Sequence, residues 1–201
     1  NGRIVFDLIS PIENIKDIEL GVPVGINIDN GIGAMALAQI AGASSEEIRN
    51  AMLSFGGVDR RFDFHVRKDG MVYISDYAHH PEEIRQSILS IRELYEGRRI
   101  KAIFQPHLYS RTKDFYQEFA DALSLLDDVV LMDIYPAREE PIPGITSNLI
   151  YDNLRPGISK QIIHKDDLIS CVKAKNYDVL VTLGAGDIEN YATEITNILN
   201  G

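Results

Sequence analysis

The chain has 201 residues, 45% of them hydrophobic, and a formal net charge of -10 at pH 7, enough for one large domain or one ordinary domain and part of another. The charge argues against nonspecific binding to nucleic acid or insertion at an anionic membrane, both of which reward basic surfaces, while a few local arginines still suffice for a nucleotide. The single Cys171 cannot form an internal disulfide and fits a reducing cytoplasm, and no apolar run approaches the ~20 residues a spanning helix needs.

The chain opens at Asn1-Gly2-Arg3 without a methionine and runs directly into Ile4-Val5-Phe6-Asp7-Leu8-Ile9, which reads as a piece cut from something longer. Residues 3 to 28 read as short strands with turns, and residues 29 to 41 as a Gly- and Ala-rich helix ended by Gly42-Ala43. Ser44 with Glu47 is a capping box opening a second helix, whose Ile48, Met52, Leu53 and Phe55 fall at helical spacing. Gly56-Gly57-Val58-Asp59 is the expected boundary, leaving a small α/β remnant over 1–58 and a complete α/β domain over 59–201.

From Arg61 onward the pattern alternates. Strands are expected near 62–66, 71–75, 100–104, 128–133, 160–164 and 179–183. Pro81 to about Tyr95 is a helix with proline in its first turn and Ile84, Ile88, Ile91 and Leu94 on one stripe. About Arg111 to Leu126 is another, with Phe115, Phe119, Ala122 and Leu126 inward. Such alternation predicts a Rossmann-like fold: a mostly parallel sheet with helices on both faces.

Four loops then follow four parallel strands, at 76–80, 105–110, 134–147 and 184–187, and would line one rim, where ligands bind in open parallel sheets. They gather Asp76, Tyr77, His79, His107, Arg111 and Arg138. Arg111 at a helix start, with backbone N–H groups pointing outward, reads as an anion site. His79 and His80 diverge on extended backbone, and His79 is expected to face the rim. A zinc site from His79, His107 and Asp76 is chemically permitted, but no ligands share a helix at i and i+4. His65 and His164 read as structural. Asn27 and Asn30 place two amides on one face at a helix entry, where Asn27, Asp29 or Asn30 could cap and the amides could also pair with an adenine edge. Gly184-Ala185-Gly186 reads as a tight turn before a helix capped by Asp187.

Asp76-Tyr77-Ala78-His79-His80-Pro81, Gln105-Pro106-His107-Leu108-Tyr109-Ser110-Arg111-Thr112 and Glu140-Pro141-Ile142-Pro143-Gly144, with Arg60-Arg61-Phe62, resemble the signatures of the UDP-N-acetylmuramate L-alanine ligases of the Mur ligase family. The resemblance covers the whole chain. It implies that 1–58 ends a central ATP-binding domain and 59–201 is a C-terminal Rossmann-like domain, with the P-loop and the UDP-sugar domain elsewhere in the same polypeptide. It also implies an ATP-dependent ligation of L-alanine to UDP-N-acetylmuramate through an acyl phosphate, with Mg2+ held mainly by those other parts, in cytoplasmic cell-wall precursor synthesis.

By motif, Asn27, Asn30, Arg61 and Asp76 would face ATP, with Asp76 nearer the nucleoside than a phosphate because anions repel. Tyr77, His79, His107 and Arg111 would form the alanine pocket. Of these, Arg111 would clamp the carboxylate, and either His79 or His107 could take a proton from the ammonium. The family usually carries a His where Ile26 stands. Alternatives are a muropeptide-recycling ligase that uses a tripeptide, which shares the Asp-x-x-His-His-Pro pattern, and a metal-dependent hydrolase built on Asp76, His79 and His107.

Overall fold

The computed structural model describes residues 3–201; Asn1, Gly2 and the side chain of Ile26 lie outside that description, so the departure at Ile26 has no structural account. The chain divides into two compact units, residues 1–58 and 59–201.

In the first unit, Val5–Leu8 (β1) and Ile15–Glu19 (β2) form an antiparallel pair. Gly25–Ile40 (α1) and Ser45–Ser54 (α2) follow. Leu8, Ile15, Ile18, Met35 and Ile48 make the core of this unit. Ser44 accepts the Glu47 N–H while the Glu47 carboxylate accepts the Ser44 N–H at 2.8 Å, the reciprocal bonding expected of a capping box. Two expectations change. Helix α1 begins at Gly25, four residues early, so Asn27, Asp29 and Asn30 sit within it and none of them caps it. Leu53 and Phe55, expected on the buried stripe of α2, are exposed; their carbonyls instead press against Gly21, where an added Cβ would meet them at 2.5 and 2.3 Å.

The second unit contains Asp63–Lys68 (β3), Met71–Asp76 (β4), Pro81–Leu94 (α3), Ile100–Phe104 (β5), Tyr109–Leu123 (α4), Asp128–Met132 (β6), Asn148–Asn153 (α5), Ser159–Ile163 (β7), Leu168–Lys173 (α6), Val179–Leu183 (β8) and Ala192–Asn200 (α7). Its sheet runs β3-β4-β8-β5-β6-β7. Five strands are parallel, and β3 departs from the expected strand–helix alternation because it turns straight back at Asp69-Gly70 and pairs antiparallel with β4.

Successive strand residues face opposite sides, which divides the core into two layers. Tyr73, Ile103, Val130 and Leu180 pack with Leu168, Val172, Ile195 and Leu199 of α6 and α7. On the other side Phe104 meets Phe119 of α4 with ring centroids 5.3 Å apart. Ile84, Ile88 and Ile91 of α3 are fully buried, each contributing roughly 1.5–3 kcal/mol of burial. Helix α4 starts two residues before expectation and bends at Phe115 (φ -124°, ψ 17°), which leaves that ring half-buried against His80 rather than in the core.

Candidate functional site

Because β4, β8, β5 and β6 are parallel neighbours, the chain leaves all four at one edge. Tyr77 and His79 follow β4, His107 follows β5, and Tyr135 follows β6. The β5–β6 register continues past the strands: Leu108 N–H donates to Tyr135 O at 3.0 Å and Tyr135 N–H to Pro106 O at 2.8 Å, with a parallel bridge between His107 and Tyr135. Leu108 then takes a left-handed φ of 73°, swinging the chain into α4 so that Arg111 returns over His107.

The result is a row of rings. Tyr77 and His79 meet edge-on at 5.0 Å, His79 and His107 at 5.9 Å, and His107 stacks on Tyr135 at 5.7 Å. Arg111 Nη1 donates to His107 Nδ1 at 3.4 Å. Burial, then the charges of Arg111 and His79, hold the His107 pKa below the ordinary histidine value; a neutral ring is what an adjacent guanidinium favours. His80 turns away, its ring 5.1 Å from Phe115.

At the other end of the row Arg60 lies over the Tyr77 ring, 4.6 Å from its centroid, and its Nε is 3.3 Å from Glu189 Oε2 without hydrogen-bond geometry. Arg61 is exposed. The Asp76 carboxylate is turned inward, accepting from Ser87 Oγ at 2.6 Å and Ala78 N–H at 3.2 Å, and burial raises its pKa. Among the described residues no group of three or more His, Cys, Asp or Glu could hold a metal ion, so Asp76, His79 and His107 do not converge on a zinc geometry. Asn27 and Asn30 belong to the first unit, where Asn27 Nδ2 donates to Val22 O at 3.2 Å and Asn30 is exposed.

Two further expectations are corrected. One first-turn N–H of α4 does not point free: Glu139 from the loop after β6 accepts from Ser110 N–H at 3.0 Å and from Ser110 Oγ, bonds that hold its pKa low. An incoming anion at this helix start therefore does not have the Ser110 amide to itself, and the Arg111 side chain is the charged donor beside it. Asp187 does not cap the helix after β8 but accepts Gln105 Nε2 at 2.6 Å, while Gln105 Oε1 accepts the Ile188 N–H at 3.0 Å. Gly184 (φ 136°) and Gly186 make room for that bridge; a Cβ on Gly186 would lie 2.3 Å from Gln105 Oε1. Arg138, expected at the rim, is exposed, while its neighbour Glu139 holds the loop.

The sequence reading gave no individual role to Arg60, Glu83, Gln105, Tyr135, Glu139 and Glu189, of which only Arg60 and Gln105 stood within its quoted motifs. Tyr135 and Gln105 had the same signal as His107, the first residues after a parallel strand. Glu83 is the acidic residue three after His80 at a helix start, a capping pattern. Glu139 and Glu189 join through tertiary contacts that no local spacing marks.

A doubly wound domain with imidazole, phenol and guanidinium groups collected beyond its strand ends has the arrangement of a small-molecule site, and its sequence matches the model of the Mur ligase, glutamate ligase domain over residues 60–186. The chain belongs to the Mur ligase family. It is 60% identical over 200 residues to a UDP-N-acetylmuramate–L-alanine ligase of Phocaeicola vulgatus, covering 100% of this chain and 44% of that protein. It is 51% identical to the ligase of the same name from Parabacteroides distasonis, over 99% of this chain and 43% of that protein. The crystal structure of UDP-N-acetylmuramate–alanine ligase from Thermotoga maritima superposes with a TM-score of 0.75 at 28% identity, covering 92% of this chain and 41% of that one. A murein peptide ligase from Psychrobacter arcticus shares the fold at 21% identity, with a TM-score of 0.63 and 94% and 39% coverage. The chain thus spans less than half the length of these relatives.

Proposed function

We propose that the protein containing this chain joins L-alanine to UDP-N-acetylmuramate at the expense of ATP in peptidoglycan precursor synthesis, and that residues 59–201 receive the amino acid. The observation that carries the reading is the Tyr77–His79–His107–Arg111 row, in a chain that matches relatives bearing that activity in their names. ATP transfers its terminal phosphoryl group to the lactyl carboxylate, and the amine displaces phosphate from the resulting acyl phosphate. Phosphoryl transfer needs positioning and charge stabilisation more than covalent help, and the second step needs the amine free while the carboxylate is held.

Arg111 clamps the amino acid's carboxylate with its planar fork of donors, Tyr77 and His107 orient it, and His79 or His107 handles protons. Asn27, Asn30 and Arg61 meet the nucleotide. Asp76, already accepting from Ser87 and Ala78, keeps further lone pairs for a nucleoside hydroxyl. Residues 1–58 are the end of the ATP-binding domain; the P-loop and the sugar site belong to the rest of the polypeptide. Mg2+ would accompany the nucleotide phosphates and is assigned mainly to those other parts, so no step here runs through it. No helix of the described residues is long and apolar enough to cross a membrane.

The test is ligation by the full-length protein with ATP, UDP-N-acetylmuramate and either L-alanine or a stem tripeptide in competition. Preference for L-alanine is expected; preference for the tripeptide, or ATP turnover independent of both, would overturn the reading. The 201-residue chain by itself is expected to transfer no phosphate.

A further inference from the structure

The two rim histidines are not equivalent, because their Nδ1 atoms face opposite kinds of group. His79 Nδ1 is 3.0 Å from the Tyr77 carbonyl oxygen and 3.5 Å from Glu83 Oε2. Both oxygens only accept, so a lone pair at Nδ1 would be repelled by each, and the neutral ring must carry its proton there. Its basic lone pair is then on Nε2, for which the described residues supply no hydrogen-bond partner. His107 Nδ1 instead faces Arg111 Nη1 at 3.4 Å. A guanidinium only donates, so this Nδ1 is the acceptor and the proton of the neutral ring sits on Nε2. The rings lie 5.9 Å apart, and their Nε2 atoms have opposite character, one accepting and one donating.

Glu83 does more than close the first turn of α3. Its Oε2 accepts the His79 and His80 N–H groups, both at 3.1 Å, which pins the backbone that carries the His79 ring and sets a negative charge behind Nδ1.

Resting on the ligase reading above, we propose that His79 Nε2 is the atom that takes the first proton from the amino acid's ammonium, with Glu83 as its positioning residue, and that His107 acts as an Nε2–H donor and not as a base. The step balances. The ammonium gives one proton to His79 Nε2, and the freed amine forms the C–N bond to the acyl carbon. The C–O bond to phosphate breaks with its electron pair leaving on oxygen, and the second nitrogen proton goes to the departing phosphate. Imidazolium at His79 then returns its proton to solvent.

Ring nitrogen NMR on the 15N-histidine-labelled chain tests the assignment without any substrate, so its outcome is separate from that of the ligase reading. His79 is expected as the Nδ1–H tautomer and His107 as the Nε2–H tautomer; the reverse pattern, or the same tautomer at both, overturns the proposal. In the full-length enzyme, His79→Ala is expected to lose about 100-fold or more in kcat and to regain activity with added imidazole. His107→Ala should mainly raise the KM for amino acid and gain nothing from imidazole. Glu83→Gln keeps an oxygen for the two backbone N–H groups and should lower kcat about threefold, the scale of a half-exposed ion pair, with KM unchanged. Imidazole rescue of His107→Ala alone would reject the proposal.

Discussion

The β5–β6 register that brings His107 to Tyr135 is held from below by a buried ion pair, and breaking one side of that pair should be far worse than removing both. Lys101 Nζ is 3.3 Å from Asp128 Oδ2, with the two side chains 3% and 4% exposed, and the residues are opposite one another in the ladder. Lys101 also lies over the Tyr177 ring, 5.2 Å from its centroid. At an effective dielectric of ~20 that separation corresponds to roughly 5 kcal/mol of attraction, which desolvation of two charges largely offsets. The net contribution of the pair is therefore small. Lys101→Met leaves Asp128 without its partner and should cost about 3–5 kcal/mol, as should Asp128→Leu, whereas the double variant should recover most of that loss. Hydrogen exchange at the β5 and β6 amides reads the opening of this sheet directly. Single variants within about 1 kcal/mol of the parent, or a double variant as damaged as the sum of the singles, would refute the reasoning. A stable double variant with weakened alanine ligation would further indicate that the charges set register.

Arg111→Ala in the full-length enzyme should raise the KM for L-alanine roughly 10- to 100-fold, the scale of a lost charge-assisted hydrogen bond, while the KM for ATP stays near the parent; equal effects on both substrates would argue against the clamp. Gly186→Ala forces a methyl group onto Gln105 Oε1 and should cost about 1–3 kcal/mol in thermal or denaturant unfolding, with Gly56→Ala, which has open space, as the control. His107 and His164 should respond to pH with opposite sign. The lowered His107 pKa means that below about 6.5 the unfolded chain binds more protons, so stability falls as pH falls through that window. His164 is raised by its 2.6 Å bond to Asp133, so its contribution is present below about 6.5 and is lost as pH rises through its folded pKa. Ring NMR titration should place the two on either side of the ordinary value, and Asp133→Asn should move His164 alone.

The local vocabulary of the fold is legible residue by residue. Alternating apolar runs and helical stripes mark β4, α3, β5 and β8 because periods of 2 and 3.6 follow from backbone geometry. Ser44 and Glu47 mark the start of α2 because a cap needs only residues three apart. Helix α1 was less legible: it starts at Val24-Gly25 with no side-chain cap, so the Asn and Asp residues that usually open helices pointed four residues too late. The sense of the strand before Asp69-Gly70 was not legible, because a strand run has the same period whether its partner is parallel or antiparallel.

The amino-acid sequence by itself determined which side chains could do chemistry and that four strand ends would carry them to one rim, since both follow from residue type and short-range pattern. Only the tertiary structure decided that Arg60 rather than Arg61 stands over Tyr77, that Glu139 takes the Ser110 amide at the start of α4, that Asp187 holds Gln105, and that Tyr77 O and Arg111 face the Nδ1 atoms of His79 and His107. Each of those depends on where a hydrogen-bonding atom ends up in space, and distances of about 3 Å between separate loops are set by packing of the whole sheet, which no local spacing encodes.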